Sequence, residues 1–380
     1  MYDVAVAPCA DYSPEACRAA LEAVLAPIGG LDFVTPGMKI AVKANLVSFM
    51  KPESAATTHP ELIVQLVKLL SERGASAVIG DSPGGLYNAV YVNRVYSATG
   101  MHLAEQAGAA LNRDFSQKDA EFPEAVVAKT FRYTAWLDDC DAIIDFCKVK
   151  SHGMMGMSAA AKNLFGTIPG TLKPEYHFRF PDPRDFARMI VDLNDYWKPV
   201  LSIADAVVGM EGNGPTAGTP RHIGAVLASK SPHRLDLACA KLIGLRREDV
   251  PTLEAAYERG YLPEQAGGLT IFGDIDRFTV PDFEHLETRN SLLFKTEGAG
   301  GKLFGSFLQH NLASMPKVTK QECIGCGKCA DICPAKAIQM KQKLPHIDRS
   351  KCIHCFCCQE FCPKGAMKVA RPVLAKLLNK

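Results

Sequence analysis

No apolar run in these 380 residues approaches the roughly 20 needed to span a bilayer. The opening Met1-Tyr2-Asp3-Val4-Ala5-Val6-Ala7-Pro8 also lacks the basic start and long apolar stretch of a signal peptide. The expectation is a cytoplasmic protein with no membrane span. Neither G-x-G-x-x-G nor a P-loop occurs; the nearest stretch, Gly212-Asn213-Gly214-Pro215, loses a backbone donor at its proline and reads as a turn rather than a phosphate cradle. No Ser-His-Asp order and no metalloprotease signature appears. Net charge is only +2, and no recognised module or aromatic-basic interleaving points to nucleic acid.

What the chain does hold in quantity is cysteine, fourteen in all. Eight fall in two runs of the form C-x-x-C-x-x-C-x-x-x-C-P: Cys323, Cys326, Cys329 and Cys333, then Cys352, Cys355, Cys358 and Cys362, each 29 residues after its counterpart. A constant offset marks an internal repeat. Steps of three residues let a tight loop wrap three thiolates round a cubic 4Fe-4S cluster, while the fourth must come from farther off. Zinc also binds paired C-x-x-C units, but a third cysteine at the same short step and the C-P ending fit it poorly. The repeat resembles the bacterial two-cluster ferredoxin over residues 317–371. In that arrangement the last cysteine of each run ligates the other cluster. The resemblance therefore implies two 4Fe-4S clusters, one on Cys323, Cys326, Cys329 and Cys362 and the other on Cys352, Cys355, Cys358 and Cys333. Cys357 aligns with Lys328 and reads as a spectator. Cys9, Cys17, Cys140, Cys147 and Cys239 are the others; cluster thiolates require a reducing compartment, so no disulfide framework is expected.

The two loops differ where Gly325 and Gly327 give way to His354 and Phe356. Hydrogen bonding and solvent exposure both move cluster potentials, so the two clusters need not be isopotential. Charge is uneven too. Residues 316–380 carry 13 Lys or Arg against 4 Asp or Glu, a formal +9 that leaves −7 on the rest. Two oxidised clusters at about −2 each reduce that excess to roughly +5. An acidic redox partner protein, or the acidic body of the same chain, would suit this surface.

Upstream, short apolar strands alternate with capped helices. Strands are expected at 2–7, 38–43, 76–80, 142–147 and 200–204, with helices opening at Ser13-Pro14 and Thr58-His59-Pro60-Glu61 and covering 158–165 and 185–196. This rhythm predicts an α/β body with a mostly parallel sheet and flanking helices, followed by a small ferredoxin-like α+β domain. Gly298, Gly300, Gly301 and Gly305 mark a connection. The expected domains are a body over 1–300, a connection over 301–316, the ferredoxin domain over 317–371 and a tail over 372–380.

Lys43, Asn45, Asp81, Lys148, Lys150, His152, Asp205 and Glu211 fall just after expected strands, where ligands of open α/β sheets bind. With Lys162 they make four lysines, suited to an anionic small molecule such as a carboxylate or phosphate ester. Alternation along an extended exit would place Lys148, Lys150 and His152 on one side, converging on one anion. The segments Val42-Lys43-Ala44-Asn45, Asp81-Ser82-Pro83-Gly84, Lys148-Val149-Lys150-Ser151-His152, Lys162-Asn163-Leu164-Phe165-Gly166 and Met210-Glu211-Gly212-Asn213-Gly214-Pro215 resemble the domain of unknown function 362, over about residues 3–310. That resemblance implies an α/β module associated with iron-sulfur redox chemistry and names no reaction. The expected function is relay of single electrons to a substrate or partner on the body. Its most concrete form is a ferredoxin-dependent reductase, with Lys148, Lys150 and Lys162 holding an anion, His152 or a lysine supplying protons, and Lys43, Asn45, Asp81, Asp205 and Glu211 shaping the ligand site. The alternative is a dedicated electron carrier.

Overall fold

The computed structural model describes residues 2–286 and 314–370. The glycine-marked connection falls almost wholly outside them, and the tail 372–380 does so entirely. Among the described residues a nine-stranded sheet forms the body. Its order runs Ile271–Phe272, Val4–Pro8, Thr219–Ser229, Leu201–Glu211, Ala142–His152, Lys39–Ala44, Ser76–Gly80 and Ala110–Leu111, with Gly156–Ser158 folded back beside His152. Five of these pairings are parallel: those flanking Lys39–Ala44, the central pair Ala142–His152 with Leu201–Glu211, and the two outermost. The long hairpin Leu201–Glu211 to Thr219–Ser229 and its neighbour Val4–Pro8 are antiparallel. The sheet is thus mostly parallel, as the β-α rhythm predicts.

Strand alternation splits the body core into two layers. Val4 and Val6 pack with Cys147, Val149 and the helix Pro183–Trp197 on one face. Ala5 and Ala7 pack with Ile144, Phe146 and the helices Pro14–Leu25 and Pro60–Ser71 on the other. Ser13 caps the first of these helices, accepting from the Ala16 N–H at 3.4 Å, with Pro14 in its first turn. The second is capped by the His59 ring, which accepts from Glu61 N–H at 3.2 Å; Thr58, where the helix is expected to open, does not cap it, because Thr58 Oγ1 turns inward and donates to the Phe146 carbonyl at 2.8 Å.

Two strands outrun their expected ends. Apolar periodicity stops at Cys147 and Ala204, yet the strands continue to His152 and Glu211. Lys148, Lys150, His152, Asp205 and Glu211 are therefore strand residues rather than loop residues. Parallel pairing of Lys148 with Asp205 lets the two charges neutralise each other inside the sheet edge. A register shift between Lys148 and Lys150 marks where the two strands begin to part. The helix expected over 158–165 divides into an α-helical turn, Ala160–Asn163, and a 3-10 turn, Leu164–Thr167.

The C-terminal domain begins earlier than expected, since Met315–Val318 already pairs antiparallel with Met367–Ala370. Ile338–Lys341 and Leu344–Ile347 form a second hairpin. Each cysteine loop ends in one short helix, Lys328–Asp331 or Cys357–Glu360, which repeats the 29-residue unit in three dimensions. No helix of the described residues is long and apolar enough to cross a membrane.

Candidate functional site

The thiols of the C-terminal domain lie close together in the two cysteine loops. Cys323, Cys326, Cys329 and Cys362 line one cavity, with Val318, Met340 and Met367 among its apolar walls. On the other side burial pushes the Cys352 and Cys358 thiols up; Cys352 also feels the charge of Cys355 and Cys333, and Cys358 that of Cys355, Cys352, Cys333 and, across the gap between the two groups, Cys329. The Ala337 N–H donates to Cys333 Sγ at 3.3 Å, the kind of bond that tunes cluster potentials. Among the described residues no three His, Cys, Asp or Glu side chains converge as closely as a single ion requires; the first-loop thiols surround a space instead. Four sulfurs about an apolar cavity fit a cluster. Cys357 is buried beside Cys355, outside both groups of four.

The second loop is the one that meets the body. Gly325 and Gly327 have φ of 68° and 77°, and their counterparts His354 and Phe356 keep the same left-handed backbone at 57° and 60°. A bulky residue there costs of order 1–2 kcal/mol. Burial of the Phe356 ring in the body core offsets that cost, since the ring is only 3% exposed among residues of the first core layer. Gln359 Nε2 donates to the carbonyls of Asn213 and Gly214 at 2.8 and 3.2 Å, and the Val369 N–H donates to Asn213 Oδ1 at 3.0 Å. Gly84 and Gly153 leave room for the close approach; a Cβ on either would meet Phe361 or Val369 at 3.1–3.2 Å. The Gly212-Asn213-Gly214 turn thus serves as a docking surface for the cluster domain.

Beneath this contact lie the lysines. Lys43, Lys148 and Lys150 are each 1% exposed, so each ammonium must have partners within the fold. Lys43 Nζ meets Asp81 Oδ1 at 2.7 Å and donates to the Ala44 carbonyl at 2.8 Å. Asp81 Oδ2 in turn accepts from the Leu46 N–H. Lys148 Nζ donates to Asp205 Oδ2 and Tyr12 Oη, both at 2.8 Å; Asp205 also accepts from Tyr12 Oη and the His59 N–H. Lys150 Nζ donates to Asn45 Oδ1 and the Ala56 carbonyl at 2.8 Å each. Asn45 Nδ2 then reaches Asn163 Oδ1, and Asn163 Nδ2 reaches Asp145 Oδ1 at 2.6 Å. Lys148, Lys150 and His152 therefore do not converge on one anion: carboxylate and amide partners from neighbouring strands already hold the two lysines.

Glu211 also stands apart from the lysines, accepting from the Glu284 N–H and facing Arg221 at 3.8 Å. His152 and Lys162 are different. His152 Nδ1 accepts the N–H groups of Met154 and Met155 at 3.1 and 3.2 Å, which leaves the proton on Nε2. That nitrogen faces Glu360 Oε1 at 3.0 Å, a close contact rather than a well-aligned hydrogen bond. Lys162, half-buried over the Phe165 ring, has no hydrogen-bond acceptor among the described residues. The turn that carries it is fixed by Asp236, which accepts from the Ala160 and Ala161 N–H groups.

Burial dominates the protonation of this corner. It pushes Lys150 down to about 7, with Lys162 adding repulsion, and lowers Lys162 as well. It takes His152 down to about 4 and His177 to about 3, so both rings are neutral at pH 7. Burial works against the Glu360 carboxylate, but Lys162 and the His152 contact hold it well below the usual carboxylate range. Glu360, His177, Tyr12, Asn163 and Asp145 were not among the candidate residues of the sequence. A signal for Glu360 existed, because the repeat places acidic residues, Asp331 and Glu360, at the same position of both loops. Only Glu360 faces the body; Asp331 is exposed.

Comparison with known proteins places residues 40–241 in the family described as Domain of unknown function (DUF362), and residues 322–366 in the 4Fe-4S dicluster domain. A thylakoid-associated protein of Synechocystis sp. is 32% identical over 267 residues, covering 68% of this chain and 80% of that one. Among solved structures, the lactate racemase apoprotein of Thermoanaerobacterium thermosaccharolyticum aligns with a TM-score of 0.37 and 12% identity over 58% of this chain. The chain spans about half of that structure, 54%.

Proposed function

The chain belongs to the family described as Domain of unknown function (DUF362) and joins to it a 4Fe-4S dicluster domain, and from that premise we propose that it delivers single electrons to an oxyanion-bearing substrate held where the second cysteine loop meets the body. The observation that carries the reading is Glu360. It lies two residues from both Cys358 and Cys362, yet its carboxylate contacts His152 of the body at 3.0 Å. That contact supports reading the cluster domain and the basic corner of the body as one site.

The clusters, held by the eight cysteines, would supply single electrons. The rest is the work of the chain's own groups. Phe356, Gln359 and Val369 fix the second loop against the body. Lys162 offers an ammonium with no hydrogen-bond acceptor among the described residues, and His152 holds a proton on Nε2 facing Glu360. Lys43, Lys148 and Lys150, bound to Asp81, Asp205 and Asn45, act as a rigid charged floor instead of direct ligands. The exposed first loop suits the opposite task. Cys326 and Ile324 are exposed beside Lys320, Lys328 and Lys343, which favours an acidic redox partner as electron donor. Cluster thiolates and a cytoplasmic setting agree; the thylakoid association belongs to the Synechocystis relative, and fractionation of native cells locates this chain.

The internal pairing of three lysines favours the second reading, a carrier that performs no chemistry. The two separate experimentally. Protein purified anaerobically is analysed by mass spectrometry for a co-purifying anion, and that compound is added to dithionite-reduced protein. Reoxidation that Lys162→Ala slows, with iron content unchanged, is expected. If no anion co-purifies and none reoxidises the clusters, the chain is a carrier.

A further inference from the structure

Three features of the basic corner exceed what a structural ion pair requires. First, one carboxylate faces several basic groups: Glu360 contacts His152, and its charge is felt by Lys162, Lys150 and His177. Lys43 and Lys148, by contrast, have one aspartate each. Second, polar groups are left over. Lys162 has no hydrogen-bond acceptor among the described residues. His177, 2% exposed and stacked on Phe186 with centroids 4.3 Å apart, buries an Nδ1 without a partner among them. Buried polar atoms of native proteins are nearly always satisfied, by protein, water or ligand. Third, the anchors of the second loop do not need Glu360. Phe356, Gln359 and Val369 hold the loop through the core and through Asn213 and Gly214, so the carboxylate can leave His152 while the loop stays docked.

We propose that Glu360 is an internal stand-in for the substrate's oxyanion: its carboxylate closes the site formed by His152, Lys162 and His177, and a carboxylate or phosphate group enters by displacing it. This rests on the oxyanion reading above and deepens it by naming the residue that the ligand must replace. The exchange is isoelectronic at the contact, one oxyanion for another on the His152 Nε2–H. A ligand that also reaches Lys162 and the His177 Nδ1 gains polar contacts that Glu360 leaves unused. Displacement also moves a carboxylate on the short helix bearing Cys358, so occupancy of the site is communicated to the second cluster loop without movement of the domain.

The test uses the full cluster-loaded chain, with inorganic phosphate and acetate as probes, at pH 7 under anaerobic conditions. Binding is measured by calorimetry for wild type, Glu360→Gln, and Glu360→Gln combined with Lys162→Ala. Removing the competing charge while keeping the side-chain shape should tighten phosphate binding at least about tenfold. The added Lys162→Ala change should reverse that gain. Iron and sulfide content, and the visible spectrum, confirm that all three variants keep their clusters. Glu360→Asp, a methylene shorter but still charged, should stay near wild type. Equal phosphate affinity in wild type and Glu360→Gln overturns the displacement proposal and leaves the oxyanion site standing, with Glu360 a fixed strut. Absence of binding to every variant, up to tens of millimolar of either probe, overturns both.

Discussion

Gly166→Ala probes the floor of the site most sharply. Gly166 belongs to the 3-10 turn Leu164–Thr167 and passes directly over the Lys43–Asp81 pair. A Cβ built there overlaps Asp81 Oδ1 and Lys43 Nζ, and comes within 2.6 Å of Lys43 Cε. Neither partner can yield cheaply, because Lys43 and Asp81 are 1% and 4% exposed and Asp81 Oδ2 is already bonded to the Leu46 N–H. Either the ion pair opens or the turn lifts, taking Asn163 and Lys162 with it. Opening a buried pair leaves uncompensated charge and costs about 3–5 kcal/mol, a large share of the roughly 5–15 kcal/mol that stabilises a typical domain. At roughly 2–4 °C per kcal/mol the melting temperature should fall by about 10 °C. Gly267→Ala is the control, having nothing within 4 Å of its Cβ and no left-handed backbone. The assay is thermal unfolding followed by circular dichroism on cluster-loaded protein, with hydrogen exchange at the Leu46 amide as the local readout. Lys43→Met removes one of the overlapping groups, so the double variant should lose less than the sum of the singles. If Gly166→Ala melts within a degree or two of Gly267→Ala, the close packing of this turn on the ion pair is refuted.

Three further outcomes follow from the same geometry. Loaded protein should carry about eight iron and eight sulfide atoms; Cys333→Ser should lose the cluster of the second loop, whereas Cys357→Ser should keep both, and the reverse result would show that the ligand register is wrong. Lys150 titrates near 7 in the fold against about 10.4 in the unfolded chain. Between those values the unfolded state binds more protons, so stability rises with pH across the window; Lys150→Met should flatten that rise in denaturant titrations at pH 7 and pH 9.5, and an unchanged slope would count against burial of the ammonium. Asp236→Ala removes the carboxylate that accepts from Ala160 and Ala161 and should cost about 1–2 kcal/mol, together with weaker anion binding through the loosened Lys162 turn; stability equal to wild type would remove Asp236 from the supporting structure.

The sequence by itself determined whatever depends on local spacing. Steps of three between cysteines, repeated at a fixed offset, are enough to specify a dicluster domain, because one loop wraps one cluster whatever surrounds it. The body's layering was equally legible, since apolar periods of two and of 3.6 report which face is buried. Sequence also brought Lys43, Lys148, Lys150, His152, Asp81 and Asp205 to the same edge of the sheet, because strand ends in an α/β body share that edge. It failed where polar residues continue a strand. Lys148, Lys150 and Asp205 looked like loop residues because burial of a charge is written in its partner, and Asp205 lies 57 positions from Lys148. Tertiary structure alone decided which lysines are neutralised from within and which corner retains unused donors. It also decided that the anion in that corner comes from the cluster domain. Asp331 and Glu360 are equivalent in the repeat, and only docking of the second loop, through a phenylalanine held in left-handed backbone, turns one of them toward the body.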